Sequence, residues 1–211
     1  ALKLIKSGLQ FPSELRKSKY NNMLSEEAKL MLKYPPDRNN SWDFINSFVS
    51  NLPKYLIAVG SYRRKRPIIR DVDLLTEKSL SYVASELYKK SKKVLSSAMD
   101  EVPFVILGEY ASGDFKRSFL IRYKESNLRV DIFKTTASSK PFACLHFTGN
   151  KMFNIRIRAH AKRLGYKLNQ NGLYKVDKNG KVLKSIAAKT ERDIFKILNV
   201  TYKSPELRQE E

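Results

Sequence analysis

Apolar residues follow two rhythms along the chain, a helical one toward the ends and a strand-like one in the middle. From residue 1 to 33 the helical spacing comes in short pieces, with Leu2, Ile5 and Leu9 and then Leu24 to Leu32 supplying apolar faces. Ser25-Glu26-Glu27 puts acidic residues at a helix start, where the dipole favours them. Tyr34-Pro35-Pro36-Asp37-Arg38-Asn39-Asn40 breaks the pattern and predicts a domain boundary. Ser41 then caps a helix to about Leu52, on which Trp42, Ile45, Val49 and Leu52 recur at helical spacing and Phe44 and Phe48 widen the apolar face. Pro53 ends it.

The middle reads differently. Tyr55-Leu56-Ile57-Ala58-Val59 is a continuous apolar run, a buried strand, and Asp71-Val72-Asp73-Leu74-Leu75 alternates. A long amphipathic helix is predicted from Ser79 to about Met99, its wet side carrying Lys89, Lys90, Lys92 and Lys93. Strands follow at Val102 to Tyr110, Phe115 to Tyr123 and Leu128 to Lys134, joined by turns at Ser112-Gly113-Asp114 and Glu125-Ser126-Asn127. Ala137 to Phe147 reads as a helix broken at Thr148-Gly149. In the segment after it Met152, Ile155 and Ala159 form an apolar stripe, with Asn154 and Arg158 together on another face. Tyr166 to Lys175 alternates around Asn171-Gly172, a hairpin signal, and Thr190-Glu191-Arg192-Asp193 opens a last short helix from Ile194 to Leu198. The pattern as a whole predicts an α+β fold.

The chemistry lies in the strand-rich middle. Gly60-Ser61 lets backbone N–H groups approach a ligand closely, the outline of a phosphate cradle. Five cations follow within Arg63 to Arg70. Residues two apart on a strand share a face, so Asp71 and Asp73 point together. Two carboxylates that close repel each other, and a hard cation such as Mg²⁺ relieves the repulsion. Asp131 is a third, costly among the strand formers Leu128 to Phe133 unless it faces a site or a partner. Arg129, two residues before it, is placed to orient or neutralise it. Three aspartates on adjacent strands would hold two Mg²⁺ ions about 3.5–4 Å apart, as nucleotidyl transfer requires. A lone Asp-x-Asp can equally be a solvated strand edge, a lone Gly-Ser a turn and His146 a packed core histidine; it is the combination that points to a metal-dependent site.

Composition sharpens the partner. A net charge of +20 suits nucleic acid or an anionic membrane surface. No run of 18 apolar residues exists to span a membrane, and the first residues are too charged for a signal peptide. The single cysteine, Cys144, cannot form an intramolecular disulfide or a cysteine zinc cluster, and fits a reducing compartment as a buried thiol.

The spacing Gly60-Ser61-x-Arg63-Arg64, then Asp71-x-Asp73, then Arg129-x-Asp131, then His146-Phe147-Thr148-Gly149 resembles the family X DNA polymerases, the polymerase-beta-like nucleotidyltransferases. The resemblance runs over essentially the whole chain, and is greatest to the small polymerase X enzymes of large DNA viruses, in which histidine also precedes Phe-Thr-Gly. It implies an α+β nucleotidyltransferase palm with a C-terminal helical and hairpin subdomain on the nucleotide side. Residues 1–33 would be a remnant of the fingers-type helical region, 34–145 the palm and 146–211 the nucleotide-binding subdomain. It further implies a DNA-directed DNA polymerase that adds deoxynucleotides to a primer 3′ end by a two-metal mechanism, filling gaps in DNA repair.

The roles implied are specific. Asp71, Asp73 and Asp131 would ligate two Mg²⁺ ions, with Mn²⁺ able to substitute, and Asp131 would take the proton of the primer hydroxyl. Gly60, Ser61, Arg64 and Arg70 would hold the triphosphate, although the family has a glycine where Arg70 stands. His146, Phe147 and Gly149 would line the sugar and base, and Asn154 would read the base from the minor-groove side. Arg129, Arg158 and Lys162 would contact DNA, Arg158 at the templating nucleotide. Lys151 replaces a family aspartate, so stacking there should differ. No counterpart of the lyase domain or of the glycine-rich fingers hairpin is recognised, as expected either of a form that never had them or of a fragment; both would remove lyase chemistry, and the missing hairpin predicts a weaker grip on the downstream duplex unless the excess positive charge compensates. The expected partners are gapped or primer–template DNA and deoxynucleoside triphosphates, with no membrane, for a monomer in the nucleus or, if viral, in the cytoplasmic factory or virion. A template-independent transferase on the same palm and a catalytically silent DNA-binding module are the rival readings.

Overall fold

The computed structural model describes residues 2–96 and 104–209. Its first part is helical and broken, with α1 (Leu2–Lys6), a 3-10 turn (Pro12–Arg16), α2 (Ser18–Asn21) and α3 (Glu26–Lys33). α3 starts where expected, because the Ser25 side chain accepts a hydrogen bond from the Ala28 N–H and Glu26 and Glu27 sit in the first turn. The breaker segment leads into β1 (Asn40–Ser41), and Ser41 caps α4 (Trp42–Ser50) by accepting from the Phe44 N–H.

The centre contains β2 (Ile57–Ala58), α5 (Gly60–Arg63), β3 (Ile68–Ile69), β4 (Val72–Thr76), α6 (Leu80–Ser96), β5 (Val105–Ser112), β6 (Lys116–Tyr123) and β7 (Ser126–Lys134). Five strands form one mixed sheet in the order β2-β4-β7-β6-β5, in which only the pair β4 and β7 is parallel. The register places Asp73 directly opposite Asp131 and Asp131 opposite Ser118. One face of the sheet packs on α4 and α6 through a core that includes Phe48, Leu87, Phe119 and Ile121. The other face is covered too, since Leu75 packs with Val59 and Ala143, and Cys144 lies half-buried against them.

The last part has α7 (Lys140–Thr148), α8 (Lys151–Arg163), an antiparallel sheet of β8 (Tyr166–Asn169), β9 (Gly172–Val176) and β10 (Val182–Ile186), α9 (Glu191–Ile197) and a 3-10 turn (Pro205–Leu207). It has its own core, from Phe142 and Leu145 to Phe195 and Leu198. An ion network ties it to the centre. Glu191, 7% exposed, accepts from Arg63 of α5 and from Arg208 of the tail, and Arg208, 1% exposed, stacks over Phe153, Phe195 and Tyr202.

Several predicted details shift. The turn between β6 and β7 is shorter than Glu125-Ser126-Asn127, because Tyr123 already pairs with Ser126 and Lys124, at φ +51°, turns the chain. α7 begins at Lys140 rather than Ala137, and α9 at Glu191 rather than Ile194. The basic loop is partly ordered as α5 and β3, β3 pairing with β1. β10 carries no signal strong enough to predict, its residues being mostly exposed. The stripe expected on α8 is reversed, since Met152 and Ile155 are exposed while Ile157 and Ala161, four apart, are buried with Phe153 packed beside them. The predicted end of α6 at Met99, the start of the next strand at Val102 and the side chains of Lys92 and Lys93 lie outside what is described.

Candidate active site

β4 alternates as its sequence requires. Val72 and Leu74 point into the core, which leaves Asp73 between them on the opposite side, next to the chain reversal at Gly60. Gly60 has φ +63°, a conformation that favours glycine, and a Cβ there would run into Oδ2 of Asp73. The aspartate is therefore packed against the bare backbone of the cradle. Asp71, just before the strand, is more open than Asp131, with side-chain exposures of 37% and 12%.

Asp131 is 8% exposed and fully engaged. Ser118 donates to its Oδ1 at 2.6 Å and the Tyr110 hydroxyl donates to the same oxygen at 3.2 Å. Lys116 Nζ lies 2.9 Å from Oδ2. Tyr110 is well aimed because the register of β5 on β6 slips between Glu109 and Ala111, and Tyr110 occupies the slip. Burial, above all, pushes its hydroxyl up to about 12, so it stays a donor. Arg129 does not neutralise Asp131 as expected. Its Nε donates to the Tyr110 hydroxyl at 3.2 Å and lies 3.6 Å from Asp71 Oδ1, so its ion pair is with Asp71. Alternation puts Arg129 and Asp131 on one face, but two residues along a strand span about 7 Å, which leaves Arg129 beside the first carboxylate instead.

The three carboxylates share one field. Asp73 is pushed up to about 7, first by burial and then by the charges of Asp131 and Asp71, with Lys116 and Arg64 opposing. The all-oxygen donor set suits a hard divalent ion, and Asp71 Oδ1 is buried with no hydrogen-bond partner among the described residues. As they stand, no three His, Cys, Asp or Glu side chains among the described residues are grouped closely enough to share an ion. Asp131 is turned to Lys116, Ser118 and Tyr110, and freeing its Oδ2 is what a metal would require.

In front of Asp71 and Asp73 opens a cavity of about 720 Å³. All eight residues proposed from sequence for nucleotide binding line it: Gly60, Ser61, Arg64, Arg70, His146, Phe147, Gly149 and Asn154. Arg64 Nη1 donates to the Thr148 carbonyl, which joins the cradle to the end of α7. His146 is held on two sides. Asn154 Nδ2 donates to its carbonyl at 2.7 Å, and Arg158 Nη2 lies 2.8 Å from its Nδ1. A guanidinium has only donors, so Nδ1 accepts and the ring proton sits on Nε2. Burial, and then the Arg158 charge, pull the imidazole below its usual range, so it is neutral at pH 7.

The proposed DNA contacts are not grouped this way. Arg129 sits beside Asp71, Arg158 behind His146, and Lys162 is exposed on α8 away from the cavity wall. His160 is structural, its Nε2 meeting the Leu198 carbonyl at 2.8 Å. Lys116, Ser118, Tyr110 and Arg66 were not singled out by sequence. The strand alternation could have found Ser118, which faces Asp131 across the pair, but the bulge that aims Tyr110 leaves no local signal.

A family model described as DNA polymerase beta thumb matches residues 143–209. Over 173 residues the chain is 32% identical to the repair DNA polymerase X of African swine fever virus, covering 80% of this chain and 89% of that protein. A shorter stretch of 80 residues is 38% identical to DNA polymerase IV of Saccharomyces cerevisiae, covering 38% of this chain and 13% of that protein. The fold matches a crystal structure of Leishmania infantum polymerase beta, described as a ternary P/T complex, with a TM-score of 0.74 and 21% identity over 98% of this chain and 91% of that one. With 32% of the aligned residues identical over 89% of a viral repair polymerase, and with Asp73 and Asp131 in register on adjacent strands, the chain belongs to the family X DNA polymerases.

Proposed function

We propose that the protein adds deoxynucleotides to the 3′ end of a primer, opposite a template, in short gaps of duplex DNA, with two Mg²⁺ ions held by Asp71, Asp73 and Asp131. The observation that carries this reading is the single cavity that gathers the Gly60-Ser61 cradle, Arg64, His146, Phe147 and Asn154 in front of Asp71 and Asp73. When bound, the ions supply the positive charge that phosphoryl transfer needs at the attacking and leaving oxygens. The chain's own residues do the positioning. Ser61 and Arg64 grip the triphosphate, Arg64 being fixed at its other side by the Thr148 carbonyl. Neutral His146 presents an Nε2–H donor on the base and sugar side, and Phe147, stacked on Phe133 with centroids 4.2 Å apart, forms a rigid wall there. Asp131 accepts the proton of the primer hydroxyl, its carboxylate aimed by the Tyr110 and Ser118 hydroxyls on Oδ1. Arg158 and Lys162 contact the template side, and the division into a helical lead-in, a palm to about residue 145 and a nucleotide-side subdomain fits the separate core of the last part.

The test is primer extension on one-nucleotide-gapped DNA with each deoxynucleotide offered alone. Mg²⁺-dependent addition that follows the template base, and falls by at least about 100-fold in Asp131→Ala, supports the reading. Addition that ignores the template moves the assignment to a tailing transferase. No addition on any substrate sinks it.

A further inference from the structure

The donors around Asp131 are of two kinds. Ser118 is fully buried and Tyr110 is a rigid ring, and both grip Oδ1. Lys116 grips Oδ2 from the end of a flexible stem, its ammonium also lying over the Phe133 ring at 5.3 Å and its side chain 41% exposed. The hydroxyls cannot leave without stranding a buried carboxylate, whereas the ammonium can swing into water at little cost. Its position is also beside a second carboxylate, since Asp73 lies directly opposite Asp131 in the register of the two strands.

We propose that Lys116 is a positioning residue that stands in for a cation at Asp131 while no divalent ion is bound, and surrenders Oδ2 when one arrives, Ser118 and Tyr110 keeping Oδ1 in place throughout. The inference rests on the metal reading of the three aspartates given above. A tethered ammonium competes with the ion it replaces, so its removal should tighten metal binding even though it removes a contact. A residue needed only to build the site would do the opposite.

The experiment is a Mn²⁺ titration of the full chain without DNA or nucleotide, with free Mn²⁺ read by electron paramagnetic resonance. Lys116→Met keeps the stem and deletes the charge, and Lys116→Gln is a second variant should the first not fold. Either should bind Mn²⁺ about fivefold tighter than the unmodified protein, the value of a partly exposed ion pair. Lys134→Met deletes an equal charge three residues beyond Asp131 on β7, at an exposed position, and should leave the affinity close to that of the unmodified chain. Unchanged or weaker binding in both Lys116 variants overturns the inference, as does an equal gain in Lys134→Met, which would mean a diffuse field rather than the Oδ2 contact. Asp131→Ala separates this from the reading beneath it. If that variant binds Mn²⁺ like the unmodified chain, the metal site itself is wrong and the inference falls with it; if it binds more weakly while the Lys116 variants do not change, only the role of Lys116 is wrong.

Discussion

At the scale of single residues the site is under electrostatic load. Asp73 is raised to about 7 from an ordinary value near 4, so the folded metal-free protein takes up a proton that the unfolded chain releases. Stability from this group is complete below about pH 4 and is lost as the pH climbs through 7. Without metal, the melting temperature should therefore fall between pH 5 and pH 8, by an amount corresponding to no more than about 3 kcal/mol. Asp73→Asn should remove this fall and leave only the opposite rise that the depressed His146 contributes, and Mg²⁺ at pH 8 should restore part of the loss; a flat profile in the unmodified protein, read by differential scanning calorimetry in chelator, contradicts this. Gly60 carries a separate burden. Gly60→Ala combines a positive φ with a collision against Asp73, and we expect it to cost about 1–3 kcal/mol and to remove most primer extension. Melting and activity should drop together in that variant.

Elements were more legible than the contacts between them. The two strands that carry the aspartates, the capped helix after Ser41 and the break at Thr148-Gly149 all follow from alternation, capping and punctuation within a few residues. Their adjacency was expected, but that they pair in parallel was not, because the partners are nonlocal and alternation carries no strand direction. The ion pairs escaped for the same reason. Lys116 and Asp131 are 15 residues apart and Arg63 and Glu191 are 128 apart, and nothing in either neighbourhood marks one as the partner of the other. α8 shows a different failure, in which two apolar stripes were available and the one with Ile157 and Ala161 won because α7 and α9 supply its counterface. The Arg63–Glu191–Arg208 network makes a prediction at this scale. Glu191→Ala leaves two arginines without their shared anion, one of them fully buried, and should destabilise the protein by about 3–5 kcal/mol in urea unfolding. If the cost is below about 1 kcal/mol, the network does not couple α5 to α9 and the tail.

For the whole molecule, charge and visibility matter most. Among the described residues no helix is long and apolar enough to cross a membrane, and the chain carries a net charge of +20. If that charge grips DNA phosphates, affinity for a gapped duplex should fall at least about 100-fold between 50 and 200 mM salt, as four or more displaced counterions demand, with little dependence on base sequence. Fluorescence anisotropy across that range checks it, and a slope near zero would rule out a phosphate grip. The stack of Trp42 on Tyr62, with ring centroids 5.4 Å apart, planes at 2° and the indole N–H on the Tyr62 carbonyl, also has a bearing on experiment. Tyr62 lies between Ser61 and Arg63 in α5, and Trp42 is the only tryptophan in the chain. Tryptophan emission from this protein is thus a built-in optical probe of the Gly60–Arg63 turn, and if that turn holds a nucleotide as proposed, a stopped-flow instrument should time its arrival with no label attached.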